Sequence, residues 1–167
     1  MEKSRIFVIS DTHFNHKTMI LEGWRKFNSV SEMNNQIISN WNKLVSKKDV
    51  VIHLGDVVMN GRKTYLNEIS KKLNGKIVYI NGNHDRTFGD FKINNLIIKY
   101  KGNLIEFVHD PANATNSTKI VIHGHIHLSN REFIRQEGIK YYNANLEFNR
   151  YKPKLLDEIL GELKSAS

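Results

Sequence analysis

Apolar and polar positions change over in short bursts along this chain, and the period of each burst predicts an element. Residues 5–10 carry an apolar run of strand length. After a loop, Met33, Ile37, Ile38, Trp41, Leu44 and Val45 recur at helical spacing, and Ser29 followed by Glu32 supplies a capping-box start. Residues 50–54 form a second apolar strand that ends in Gly55-Asp56. Tyr65, Leu66, Ile69 and Leu73 mark a second helix closed by Asn74-Gly75. A third strand over residues 76–80 runs into Asn81-Gly82-Asn83-His84-Asp85.

The texture then changes. Residues 96–100 and 104–109, joined by Lys-Gly-Asn, read as a hairpin, and residues 119–123 as a further strand. Residues 133–136 and 139–142 flank a Glu-Gly turn as a second hairpin. Pro153 opens a last helix on Leu155, Leu156, Ile159, Leu160 and Leu163, with the proline in its first turn. Strand–helix alternation followed by hairpins predicts an α/β fold: a two-sheet β-sandwich flanked by helices. Loops after strand carboxyl ends are where such folds place ligands.

Composition narrows the chemistry. A chain of 167 residues predicts one domain over 1–167. No apolar run is long enough to span a bilayer, and the one at residues 6–9 is too brief for a signal-peptide core. Cysteine is absent, which removes thiolate metal sites, leaves any metal to His, Asp, Glu and Asn, and points to the cytoplasm. The formal charge of +8 admits an anionic partner, nucleic acid included. The lysines are scattered, however, without a stripe or aromatic interleaving, so solvated surface charge is the favoured reading.

All eight histidines fall at or beside predicted strand ends. Asp11-Thr12-His13 follows the first strand; in an extended segment, residues two apart project to one side and could grip a single cation. Asp56 offers a carboxylate able to bridge two ions, Asn83 an amide oxygen, and His125-Ile126-His127 repeats the spacing of two. With His109 this makes seven candidate ligands: Asp11, His13, Asp56, Asn83, His109, His125 and His127. They are too many for one tetrahedral zinc and suit two ions about 3.5–4 Å apart. Each has a bland reading by itself: Asp11 as a helix cap, Asn83 as turn chemistry, His109 as a satisfied polar residue. The combination, in order and after apolar strands, is what points to a metal centre.

Asp11-x-His13, Gly55-Asp56, Gly82-Asn83-His84-Asp85, His109 and Gly124-His125-x-His127 resemble the signature of the calcineurin-like metallophosphoesterases, over residues 6–127. The stretches at 10–14, 40–42, 53–56 and 151–159 look further like a compact, cap-less bacterial and phage branch. The resemblance implies that Asp11, His13 and His127 hold one metal, that Asn83, His109 and His125 hold another, and that Asp56 bridges them. It implies that His84 faces the substrate phosphate, with Asp85 supporting it from behind. Many relatives carry Gly after the histidine at the His109 position; here Asp110-Pro111 follows, either a rim carboxylate or, the favoured reading, the start of a turn.

The function expected is hydrolysis of phosphate esters by two divalent ions, manganese first and iron, nickel or zinc as alternatives. Phosphodiesters are favoured over monoesters, because their poor leaving group gains most from an acid such as His84. The substrate is expected to be a small, nucleotide-like or organic phosphoester, and the protein a monomer or homodimer. Competing readings are a non-catalytic metal-binding scaffold and a nuclease acting on short single strands. His16 is left between substrate contact and outer support, His53 and His123 are expected in the core or behind the ligands, and Asn15, Lys17 and Arg86 could meet phosphate or solvent.

Overall fold

The computed structural model describes residues 3–59, 63–85, 93–127 and 138–165. Two four-stranded mixed sheets form the α/β fold expected, with helices flanking them. In the first sheet β1 (Ile6–Ile9), β2 (Val50–His53) and β3 (Lys76–Tyr79) run parallel, in register Ile6↔Val50 and Val50↔Lys76. The second sheet orders β4 (Asn95–Tyr100), β5 (Asn103–Val108), β6 (Ile120–His123) and β7 (Lys140–Asn143) side by side. The β4–β5 hairpin is antiparallel as the turn chemistry predicts.

β7 pairs with β6 in parallel, and residues 133–136, the other arm of the expected second hairpin, lie outside the described residues, as does Arg86. One expectation changes. Pro153 does not open the last helix: Lys154–Leu155 forms a short edge strand, β8, antiparallel to β1, and helix α4 starts at Leu156 and ends at Ser165. A proline just ahead of an edge strand donates to no ladder, so completing the sheet beats starting the helix early.

Strand alternation divides the interior. Phe7, Ile9 and Val51 point into a core shared with helices α2 (Val30–Leu44) and α3 (Lys63–Lys72), where Met33, Ile37, Trp41, Leu66 and Ile69 are buried. Val8, Ile52, Leu54 and Ile80 face the other way, into a core closed by Ile105, Phe107 and Ile122 of the second sheet and by Leu156, Ile159 and Leu160 of α4. A one-residue slip in β1 or β2 would exchange these two faces, so the register is strongly specified.

The start of α2 follows its sequence signal in part. Ser29 Oγ accepts the Glu32 N–H at 3.1 Å, while Glu32 Oε2 accepts from Asn28 N at 2.7 Å rather than from the capping residue itself. Its far end carries Asn40-Trp41-Asn42, and each side chain ties the helix to another segment. Asn40 donates to Tyr151 O at 3.1 Å, Trp41 Nε1 to Asn74 O at 2.9 Å, and Asn42 to Lys72 O at 2.7 Å. Trp41 is fully buried and stacks on His53 with centroids 6.3 Å apart. Trp41→Phe strands the Asn74 carbonyl, and urea unfolding is expected to show a loss of about 1–3 kcal/mol; a loss below about 0.5 kcal/mol would mean the carbonyl finds another partner.

Candidate metal centre

Parallel pairing brings the carboxyl ends of β1, β2 and β3 to one edge of the first sheet, and those of β5, β6 and β7 to one edge of the second. The loops leaving these ends carry every candidate ligand. Asp11 and His13 follow β1, Asp56 follows β2, Asn83 and His84 follow β3, His109 follows β5, and His125 and His127 follow β6.

The spacing of two does not work through an extended chain. Asp11, His13, Asp56 and His125 all sit in the left-handed region, at φ of 58°, 45°, 53° and 67°. An extended segment would continue the strand past the edge. The left-handed turns instead curl the backbone back, at a cost on the order of 1 kcal/mol each, so that the side chains converge above the sheet edge.

The two carboxylates are almost completely buried, Asp11 at 0% and Asp56 at 2% exposure. Each has one oxygen held and one presented. Asp11 Oδ2 accepts the His125 N–H at 2.9 Å, whereas Oδ1 has no hydrogen-bond partner and lies 3.5 Å from His127 Nε2 and 3.7 Å from His13 Nε2. Asp56 Oδ1 accepts the His84 N–H at 3.0 Å, whereas Oδ2 lies 3.5 Å from His109 Nε2 and 3.6 Å from His13 Nε2. His13 Nε2 is also buried without a partner. Donor atoms of Asp11, His13 and His127 fall within 4.8 Å of one another, as do those of Asp11, Asp56 and His109.

Asn83 joins the remaining ligands. Its Oδ1 lies 2.9 Å from His109 Nε2 and 3.1 Å from His125 Nδ1. His109 Nδ1 must donate to Leu54 O, 2.8 Å away, because a carbonyl only accepts. In the neutral ring Nε2 is then a bare lone pair aimed at an amide oxygen and at Asp56. Lone pairs that converge on a common centre are what a cation satisfies, so the residues present fit divalent metal.

Three further histidines, His53, His16 and His123, lie beside the candidate ligands. Gly55 N–H donates to His53 Nδ1 at 3.2 Å, and His53 Nε2 donates to Thr12 Oγ1 at 2.9 Å, whose own hydrogen goes to Val57 O. Full burial lowers the His53 pKa to about 3 and keeps this ring neutral. His16 Nδ1 lies 3.2 Å from His13 Nδ1, and burial, with His13 and His84 close by, lowers its pKa to about 4. His123 is buried and donates from Nδ1 to Gly124 O at 2.9 Å. Asp85 accepts N–H groups of Asp56, Val57 and Gly82 at 2.6, 3.0 and 3.0 Å, so it braces the Asp56 loop. Burial, with the Asp56 charge nearby, pushes Asp85 up to about 6 against those three bonds. Asp110 accepts the Ala112 N–H at 2.9 Å ahead of Pro111, which is the turn-starting role. Lys17 is exposed, and Asn15 takes the Asn34 side-chain oxygen through its backbone N–H.

Two residues of the site are absent from the sequence reading. Arg25 is 1% exposed and donates to the carbonyls of Asp11 and Thr12 at 2.6 and 2.7 Å, fixing the first ligand turn. Its Nε and Nη2 also reach Glu147 Oε1 at 2.7 and 2.6 Å, and the same oxygen lies 3.4 Å from His127 Nδ1. Glu147 follows β7 and so obeys the strand-end logic that located the others; Arg25 has no such signal.

The calcineurin-like phosphoesterase family matches residues 4–166. The chain belongs to that family. An uncharacterized protein of Methanocaldococcus jannaschii is 38% identical over 166 residues, covering 96% of this chain and 92% of the relative. A crystal structure of a protein of unknown function from Aquifex aeolicus superposes with a TM-score of 0.69 at 27% identity, over 94% of this chain and 98% of that one. Vps29 of Chaetomium thermophilum shares the fold, with a TM-score of 0.50 at 13% identity over 84% of this chain and 70% of that one. This phosphoesterase carries buried Asp/His clusters able to hold a metal ion, and no helix among the described residues is long and apolar enough to cross a membrane.

The electrostatics set a pH dependence. Burial alone would lower the His127 pKa, but Asp11 and Glu147 outweigh it and push the ring up to about 9. A metal ion taken by Nε2 therefore displaces a proton at neutral pH, and affinity is expected to climb from about pH 7 to about pH 9. Calorimetric titration with manganese at each pH checks this, and a flat affinity over the range contradicts it. Glu147→Gln removes one charge that holds the proton and orients the ring. Affinity is expected to fall about 10–100-fold while its pH dependence moves to lower pH; an unaltered titration would show that Glu147 is a bystander.

Proposed function

We propose that this phosphoesterase hydrolyses phosphate esters at a pair of divalent ions, with phosphodiesters favoured over monoesters. The observation that carries the reading is the presentation of Asp11 Oδ1, Asp56 Oδ2 and His13 Nε2, unpaired or nearly so, toward a common centre. Asp11, His13 and His127 would hold one ion, Asn83, His109 and His125 the other, and Asp56 would stand between them, its Oδ2 nearly equidistant from His13 and His109. The mixed carboxylate, imidazole and amide donors suit manganese, our working choice, and also iron, nickel or zinc.

When bound, such a pair supplies Lewis acidity and a water activated for attack on phosphorus. The chain's own residues supply the rest. The His125 and His84 N–H groups each hold one oxygen of Asp11 and Asp56, which orients the other oxygen toward the shared centre. His84 has its side chain 42% exposed at the mouth of the site, with Nε2 3.9 Å from Asp56 Oδ2. From there it protonates the leaving alkoxide or, as imidazolium, stabilises charge on the departing oxygen.

A cleft of about 520 Å3 adjoins Asn83 and His109, and is lined further by Asn81, Asn94, Asn95, Asn113 and Asp110. Its amides and the Asp110 carboxylate suit a polar, non-anionic group on one ester arm, which supports the diester preference. Cytoplasmic action on a small phosphoester is the setting proposed.

The test uses protein stripped of metal and reloaded with manganese, offered bis(p-nitrophenyl) phosphate, p-nitrophenyl phosphate and single-stranded DNA. Turnover of the diester above the monoester is expected, with little on DNA. Absence of metal-dependent turnover on all three, with metal binding demonstrated, would leave a scaffold role. On a diester whose leaving group is an alkoxide, His84→Ala is expected to lower kcat about 100-fold or more while both ions stay bound, with a smaller loss on the p-nitrophenyl ester; an unchanged kcat on the alkyl diester removes His84 from the reaction.

A further inference from the structure

A second cleft borders the other half of the cluster and is built differently. It measures about 330 Å3, within the about 300–1,000 Å3 span of small-molecule sites, and is lined by Glu22, Gly23, Trp24, His127 and Glu147. It shares no lining residue with the asparagine-rich cleft beside His109. One wall is thus a candidate metal ligand, and the facing wall is an indole.

Trp24 is 42% exposed at the edge of this cleft, a large apolar surface left partly open. Its placement is nevertheless held at three points. Helix α1 (Thr18–Leu21) ends just before it, and Gly23 turns the chain at φ 75°. The indole Nε1 donates to Glu22 Oε2 at 3.1 Å, and the ring stands edge-on to His127, at 5.8 Å between centroids and 81° between planes. The next residue, Arg25, is buried and clamped to the carbonyls of Asp11 and Thr12 and to Glu147. The segment that fixes the first ligand turn therefore also fixes where the indole stands relative to the phosphate-binding centre. A side chain needed only for packing has no reason to keep this surface open to a cleft beside a metal ligand. A held aromatic surface one residue from the ligand clamp suits a flat ring carried a few bonds from phosphorus.

We infer that Trp24 is the stacking platform for an aromatic, nucleobase-sized arm of the phosphoester, so that the substrate class is nucleotide-like. The inference rests on the hydrolytic reading above and adds to it which arm goes where. Stacking tolerates any base, so the platform selects the class of the arm and not its sequence.

The test compares two diesters with one leaving group: thymidine 5′-(p-nitrophenyl phosphate) and methyl p-nitrophenyl phosphate, both with the manganese-loaded enzyme. Wild type is expected to prefer the thymidine ester through KM. Trp24→Ala is expected to raise KM for that ester about tenfold or more with kcat retained, which collapses the preference, and Trp24→Phe is expected to recover most of it. Equal effects of Trp24→Ala on both esters, or no effect on either, overturn the inference while leaving the hydrolase standing. Should wild type turn over neither ester, the hydrolytic reading is what fails, and indole fluorescence then decides the platform. Trp41 is fully buried, so quenching by thymidine 5′-monophosphate reports on Trp24. Quenching that ribose 5-phosphate does not reproduce, and that is lost in Trp24→Phe, supports the platform; quenching by both compounds, or by neither, overturns it.

Discussion

Two carboxylates, buried from water at the meeting of the sheet edges, each spend one oxygen on a backbone N–H and leave the other facing a shared centre. Charge buried in this way is unfavourable unless a counter-charge reaches it. The buried guanidinium of Arg25 is committed to carbonyls and to Glu147 rather than to the Asp11 or Asp56 carboxylates. The histidines partly answer the charge: against the burial that would raise it, His127 and His13 hold Asp11 well below the ordinary carboxylate range. What the arrangement accommodates is a cation that displaces the His127 proton and faces both carboxylates.

Close approach of the loops is what makes this geometry affordable in space. A Cβ at Gly82 would strike Asp56 Oδ1 and its backbone N, and one at Gly124 would strike Ser10 Oγ and Asp11 Oδ2. These two glycines therefore read as clearance for the carboxylates rather than as flexible joints. The strain of four left-handed candidate ligands is held in place by hydrogen bonds involving Arg25, Asp85 and the Thr12–His53 pair, and by two well-packed cores beneath.

Much of this was legible before any coordinates, because parallel pairing turns a linear pattern into a spatial one. Each candidate ligand stands just after an apolar run, and strands that run parallel deliver their carboxyl ends to one edge. What was not legible follows from the same physics. Asp11 and His13 converge through positive φ, which residue types other than glycine seldom advertise. The partner of β7 and the edge strand after Pro153 depend on which backbone groups remain unpaired once the sheets assemble, a property of the whole fold. Glu147 could have been found by following β7 with the logic applied to the other strands. Arg25 could not, since a lone arginine in a polar loop carries no sign that the fold will close over it.

The account stands or falls on where cations settle. A crystal of the protein grown with manganese and measured at the metal's absorption edge is expected to show two anomalous peaks, with Asp56 Oδ2 between them, His13 and His127 on one, and Asn83, His109 and His125 on the other. A single peak away from Asp56, or none at full metal loading in solution, would contradict it.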